Sequence, residues 1–147
     1  MWLYQNKEIK ELEDMPGDNF GFIYEVTHLP TGRKYLGKKQ LISVTKKALG
    51  KKELVEQPIT RGRTATTKQI IKESDWKTYY GSHSEIKGLI KEGKQSEFSR
   101  EILIFTPNKK LHTYYENKFL FIKGVIEPDS NYINDNIEGR YFRKDFL

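Results

Sequence analysis

The sequence predicts an α+β fold, a small, largely antiparallel mixed sheet flanked by helices. Three stretches carry that reading. Residues 21–37, GFIYEVTHLPTGRKYLG, have the period-two alternation and turn chemistry of a β-hairpin. Residues 98–105, FSREILIF, are β-prone and apolar enough for a central strand. From Thr106-Pro107 onward, apolar residues recur at helical spacing to about Val125. At 147 residues the chain is long enough to bury a core and reads as a single domain, 1–147. Within it, 1–20 form an N-terminal extension, 41–74 a basic insertion and 128–147 a C-terminal tail.

Trp2-Leu3-Tyr4 followed by Lys7-Glu8-Ile9 suggests a small hairpin or edge strand. Asp14-Met15-Pro16-Gly17-Asp18 is a loop. In the next strand Phe22, Tyr24 and Val26 share one face. Pro30 presets φ in the turn, and Gly32 takes the left-handed conformation that closes it. The return strand brings Tyr35 back beside Tyr24, and two neighbouring phenols, each able to donate and accept, form a potential chemical site. Leu41–Lys72 shows no lasting period and reads as a long loop, rich in Lys, Arg, Thr and Gly. Such a loop suits a phosphate backbone. After the aromatic segment 75–81, Ser82 or Ser84 is placed to cap a helix ending near Lys91, and Gly93 stops it. Arg100 alternates on the central strand, where it is expected to bridge to an acid or to backbone. The last helix starts with Pro107 in its first turn, Thr106 capping it. Its core stripe is read as Leu111, Tyr115, Phe119 and Ile122, widened by Tyr114, Leu120 and Phe121.

Composition narrows the chemistry. There is no cysteine, hence no disulfide, thiolate metal site or thiol nucleophile, and three scattered histidines argue against a histidine zinc site. No apolar run approaches membrane-spanning length and no signal segment opens the chain, so a cytoplasmic protein is expected. The net charge of +6 is unevenly spread. Residues 1–32 carry two lysines against six acids, residues 33–94 sixteen Lys/Arg against six acids, and residues 95–147 eight against eight. A basic block directly behind the tyrosine hairpin attracts polyanions, nucleic acid first; the alternative is a solvated lysine-rich surface. Glu116 stands at the flank of the apolar helix face, where it must reach water or point into a cleft and find a cation.

These pieces together resemble the GIY-YIG nuclease superfamily. Phe22-Ile23-Tyr24 and Tyr35-Leu36-Gly37 match its paired signature, with Gly21 one place early and Leu36 for the usual isoleucine or valine. The helix glutamate in Tyr115-Glu116-Asn117-Lys118-Phe119 and the asparagine in Tyr132-Ile133-Asn134-Asp135-Asn136-Ile137 resemble its two further motifs. GFIYEVTHLPTGRKYLGKK, DWKTYYGSHSEI, FSREIL and YINDNI are also similar to endonucleases of tailed bacteriophages.

The resemblance implies a Mg²⁺- or Mn²⁺-dependent endonuclease hydrolysing DNA, RNA not excluded, by a one-metal mechanism in the host cytoplasm. It assigns Glu116 as the metal ligand, Tyr35 as the water-activating phenol and Tyr24 as its hydrogen-bonding partner. Asn134 is preferred over Asn136 as the anchoring amide. A phenol near ~10 is a poor base unless cations depress it, and Arg33, Lys34, Lys38 and Lys39 stand close in sequence to do so. The family's helix arginine is replaced by Lys38-Lys39, so Arg61, Arg63, Lys38 or Lys39 must supply the transition-state cation. Lys39 and Arg63 join the catalytic candidates. Arg33, Lys34, Lys38, Lys39, Arg61, Arg63 and His83 are the candidate DNA contacts. The competing reading is a nucleic-acid-binding module on the same scaffold without turnover. No separate DNA-reading module is expected after the asparagine motif, so sequence preference is either weak or built into the insertion and the tail.

Overall fold

A computed structural model describes residues 1–56 and 65–147. Two units emerge, one of Met1–Leu41 with Asp75–Leu147, the other of Ile42–Ser74. In chain order the elements are β1 (Trp2–Tyr4), β2 (Lys7–Ile9), β3 (Gly21–His28), β4 (Lys34–Gln40), β5 (Ile42–Ala48), α1 (Lys51–Val55) and β6 (Thr67–Glu73). There follow α2 (Ser84–Lys91), β7 (Phe98–Thr106), α3 (Lys109–Ile122), β8 (Asn136–Ile137) and β9 (Tyr141–Phe142). Among the described residues no helix is long and apolar enough to cross a membrane.

The larger unit is the expected α+β architecture. Its five-stranded sheet runs β2-β1-β7-β3-β4, with β1 parallel to β7 and every other pair antiparallel. β7 is central, as its apolar run predicts. Gln5 and Asn6, both at positive φ, make the tight β1–β2 turn. Gly32 closes the β3–β4 hairpin at φ +72°. The sheet separates two apolar clusters. On one side Trp2, Phe22, Tyr24 and Val26 pack with Trp76 and Ile86. On the other, Ile23 and Leu36 pack with Leu120 of α3 and with Val125, Ile126, Tyr132 and Ile137. The period-two alternation of β3 is what feeds both clusters at once. Arg100 does bond to backbone: Nη1 donates to the carbonyls of Lys77 (3.0 Å) and Tyr79 (2.8 Å), its guanidinium held between the Trp2 and Tyr80 rings.

Four expectations need correction. Residues 41–72 are not simply a loop: β5 and β6 pair antiparallel over seven residues, Ile42↔Glu73 to Ala48↔Thr67. Neither strand buries a face, so no apolar period marks them. His83, not Ser82 or Ser84, caps α2, its Nδ1 accepting the Glu85 N–H at 3.2 Å. Asn108 caps α3, its Oδ1 accepting the Leu111 N–H at 2.9 Å, while Thr106 closes β7 and shares a 2.8 Å hydrogen bond with His112 Nδ1. The inward stripe of α3 is His112, Glu116 and Leu120, flanked by Tyr115 and Phe119; Leu111, Tyr114, Phe121 and Ile122 are exposed. Both faces of α3 carry apolar residues, so the period cannot choose between them. The choice falls to buried polar partners, Thr106 for His112 and Lys38 for Glu116. Burial, aided by the Lys38 charge, lowers His112 to about 4, which keeps it neutral in the core.

Candidate active site

β4 is the last strand of its sheet, and its outer edge offers the backbone of Lys34, Leu36 and Lys38 unpaired by any neighbouring strand. Such an edge has to be covered or paired, and here it organises side chains. The Ile133 N–H donates to the Lys34 carbonyl at 2.7 Å, and the Lys34 N–H donates to the Asn131 carbonyl at 3.0 Å. One step along, Asn134 makes a two-point clasp: its Oδ1 accepts the Leu36 N–H at 3.1 Å and its Nδ2 donates to the Leu36 carbonyl at 2.8 Å. Asn134 is buried, so both bonds are desolvated. Further along, Glu116 arrives from α3 with its carboxylate 3.9 Å from the Lys38 ammonium. Asn134 therefore binds the backbone of this edge, and Glu116 meets the side chain of Lys38 two residues on.

Beside this edge lies an open cavity of about 520 Å³ lined by Tyr35, Ser82, His83, Glu116, Asn134 and Asp135, among others. Tyr35 enters it from one face of the sheet and Glu116 from the other, each curling round β4. Tyr24 pairs with Gly37 and Tyr35 with Val26, so the two phenols are diagonal neighbours on one face with ring centroids 6.3 Å apart. Gly37 is required by this packing: a Cβ there would meet the Tyr24 hydroxyl at 2.6 Å.

The hydroxyls do not bond to each other as expected. Tyr24 is buried, its ring packed edge-on against Tyr79 with centroids 5.8 Å apart. The Tyr35 hydroxyl shares a 2.8 Å hydrogen bond with Ser82 Oγ. Burial pushes Tyr24 well above its ordinary value near 10. Burial also raises Tyr35, against the opposing effect of the Ser82 hydrogen bond. Nearby cations do not depress either phenol, for a geometric reason. Lys34 and Lys38 alternate to the α3 side, where Lys34 meets the buried Glu25 at 2.9 Å and Lys38 meets Thr113 at 3.0 Å and Glu116 at 3.9 Å. Lys39 does lie on the tyrosine side, but it is paired with Asp75 and sits 4.1 Å over the Tyr79 ring. Arg33 pairs on the surface with Glu85 at 3.3 Å. Arg61 and Arg63 lie outside the described residues.

Glu116 is held at an electrostatic cost. Burial raises its carboxyl above the ordinary 4.5, and Glu138 adds to the rise, while the Lys38 charge and N–H work against it. Between 4.5 and the raised value the folded chain keeps a proton that the unfolded chain has lost, so this group's contribution to stability falls as pH rises through that window. Without divalent ions, Glu116→Gln is thus expected to melt above the unsubstituted chain at pH ~7, the gap closing by about pH 4. A lower melting temperature for the variant at neutral pH contradicts that.

The cavity is not the positively charged hollow that charge distribution suggested. Among the described residues none that lines it is Lys or Arg, and Glu116, Asp135 and Glu138 border it. His83 faces Asp135, Nε2 to Oδ2 at 3.3 Å, and because Nδ1 accepts the Glu85 N–H the ring proton resides on Nε2. A phosphodiester enters such a cavity only with a cation between it and the carboxylates. No group of three or more His, Cys, Asp or Glu is placed to cage a metal among the described residues. A single carboxylate in a polar, open cavity fits a hard cation that keeps most of its waters.

Three participants escaped the sequence reading. Ser82 was read only as a helix cap, and it bonds Tyr35. Asp135 is an acid in a loop motif noted for its asparagines. Arg143 pins the Asn134 loop, Nη2 donating to the carbonyls of Val125 (2.8 Å), Tyr132 and Asn134 (2.9 Å). As one of 26 Lys/Arg in the chain, it carries no local signal.

Residues 2–137 match the family model described as "Putative endonuclease segE, GIY-YIG domain". No curated protein and no solved structure matches the chain significantly. The match takes in the tyrosine hairpin, the α3 glutamate and the Asn134 loop, which are the parts that meet at the edge of β4. The chain belongs to the GIY-YIG endonuclease-domain family.

Proposed function

We propose that the protein is a divalent-metal-dependent endonuclease that hydrolyses DNA phosphodiester bonds at the β4 edge, with Mg²⁺ or Mn²⁺ as its ion. GIY-YIG nucleases generally use divalent metals. The observation that carries the reading is that Tyr35, Glu116 and Asn134, from three separate parts of the chain, border one cavity. Glu116 is the residue that holds the ion. When bound, the ion supplies counter-charge for the phosphate and stabilises the departing oxygen.

The chain's own groups do the rest. Asn134 fixes the edge from which Tyr35 is displayed, with Glu116 facing the same edge from α3. Tyr35, neutral because burial raises it and held by Ser82, orients the attacking water, whose proton passes to solvent water in the open cavity. The water oxygen bonds to phosphorus as the bond from phosphorus to the 3′ oxygen breaks. Lys38, whose ammonium stands 3.9 Å from Glu116, takes the place of the family's arginine as the nearest cation among the described residues. The His83–Asp135 pair faces the incoming backbone. The resemblance to phage endonucleases supports a phage-encoded protein acting in the host cytoplasm. A binding module without turnover is the alternative, favoured by the lack of an arginine among the described residues that line the cavity.

The test is relaxation of supercoiled plasmid in chelator and after adding Mg²⁺ or Mn²⁺. Nicked or linear product is expected only with the ion. Binding that weakens with added salt but yields no product under any ion condition establishes the alternative.

A further inference from the structure

The unit Ile42–Ser74 holds six lysines and two arginines against three glutamates. Its β5–β6 ribbon is exposed on both faces, Val44 being 49% and Ile71 63% accessible. Because side chains alternate and paired residues share a face, the register separates its residues into two sets. Ser43, Thr45 and Lys47 lie opposite Lys72, Ile70 and Lys68 on one face, which has three lysines and no acid. The other face has Lys46 and Glu73 among Ile42, Val44 and Ile71, so its charges cancel.

The basic face also contains a like-charge pair. Lys47 stands directly opposite Lys68, an arrangement that destabilises a ribbon unless an anion lies between. Glu53 reaches Lys68 Nζ at 2.6 Å, but both side chains are about two-fifths exposed, and so exposed a pair offsets little. A two-stranded ribbon alone is marginal in water. An anionic partner that accepts hydrogen bonds would relieve both problems.

We propose that this face lies in the major groove of duplex DNA and supplies the sequence preference of the nuclease; the proposal rests on the nuclease reading above. The groove is about 12 Å wide and admits a two-stranded ribbon. Seven residues at about 3.3 Å each extend about 23 Å, which is six to seven base pairs at about 3.4 Å per step. Lys47 and Lys72 donate to guanine O6 and N7, the Ser43 and Thr45 hydroxyls pair with either base edge, and Ile70 meets thymine methyls.

Methylation interference reads the groove directly. A duplex is enriched from a random pool on Glu116→Ala protein, methylated with dimethyl sulfate at guanine N7 (major groove) and adenine N3 (minor groove), and rebound. N7-methylated guanines within one window of six to seven base pairs are expected to be depleted about fivefold from the bound fraction. That depletion is expected to vanish in a protein also carrying Thr45→Ala, Lys47→Ala and Lys72→Ala, and to persist with Lys46→Ala instead. The proposal is overturned by a pool that enriches no preferred sequence, by interference confined to adenine N3, or by guanine interference that survives the triple substitution. Absence of any DNA binding overturns the nuclease reading along with it, whereas binding without guanine interference overturns the ribbon proposal alone.

Discussion

Replacing Glu116 by alanine is expected to slow plasmid cleavage by at least about 10³-fold while leaving DNA affinity within about threefold. Two features set the size of the effect. Glu116 is the only carboxylate that α3 turns into the cavity, and its ion-pair partner there is the Lys38 ammonium at 3.9 Å. Its raised carboxyl pKa also means that the folded chain keeps a poorly solvated acid there, an arrangement that a bound cation stabilises. Affinity is little changed because the excess positive charge lies elsewhere in the chain. Asp135→Ala and Glu138→Ala serve as controls for general loss of negative charge and are expected to cost less than about tenfold. Equal losses from all three substitutions would make the cavity's net charge, not Glu116, the determinant.

The phenols are expected to separate just as clearly. Tyr35→Phe should reduce cleavage by about 10²-fold or more, the scale of misplacing a reactant, with little change in melting temperature. Tyr24→Phe should leave cleavage within about tenfold and lower stability by about 1 kcal/mol, because removing the packed hydroxyl leaves a small void. The asymmetry follows from access. The Tyr35 hydroxyl stands in the cavity on Ser82, whereas Tyr24 is 1% exposed and packed edge-on against Tyr79. Cleavage rates at saturating DNA, together with denaturant melts of each variant, distinguish the two roles. A rate loss for Tyr24→Phe as large as that for Tyr35→Phe contradicts the assignment.

The tyrosine hairpin was legible because its determinants are local. Alternation set the faces of β3, and Pro30 with Gly32 set the turn. β7 was legible for the same reason, as an unbroken apolar run. The existence of α3 could be read, but not which side faces inward. Leu111, Tyr114, Phe121 and Ile122 make an exposed stripe as apolar as a buried one, and only tertiary partners turn His112 and Glu116 inward.

The β5–β6 ribbon left no pattern because neither face is buried. The site itself was legible only in part. Asn134 and Glu116 stood out through resemblance to a family, since a lone asparagine in a loop says nothing about a clasp on a distant strand. Electrostatics was the least readable part. The charge count located a basic block, but strand parity sends Lys34 and Lys38 to the α3 side, and acids from α3 and the Asn134 loop line the cavity instead.

The most direct test of the central claim, that cleavage occurs in the cavity beside β4, uses the absence of cysteine. A Ser84→Cys protein carries a single thiol at an exposed position on the cavity wall, to which a photoactivatable crosslinker is attached before binding a cleavable duplex in calcium. The crosslinks are expected to map within about two nucleotides of the bond that the unsubstituted protein cuts in Mg²⁺. Crosslinks scattered along the duplex, or centred many base pairs from that bond, contradict the account.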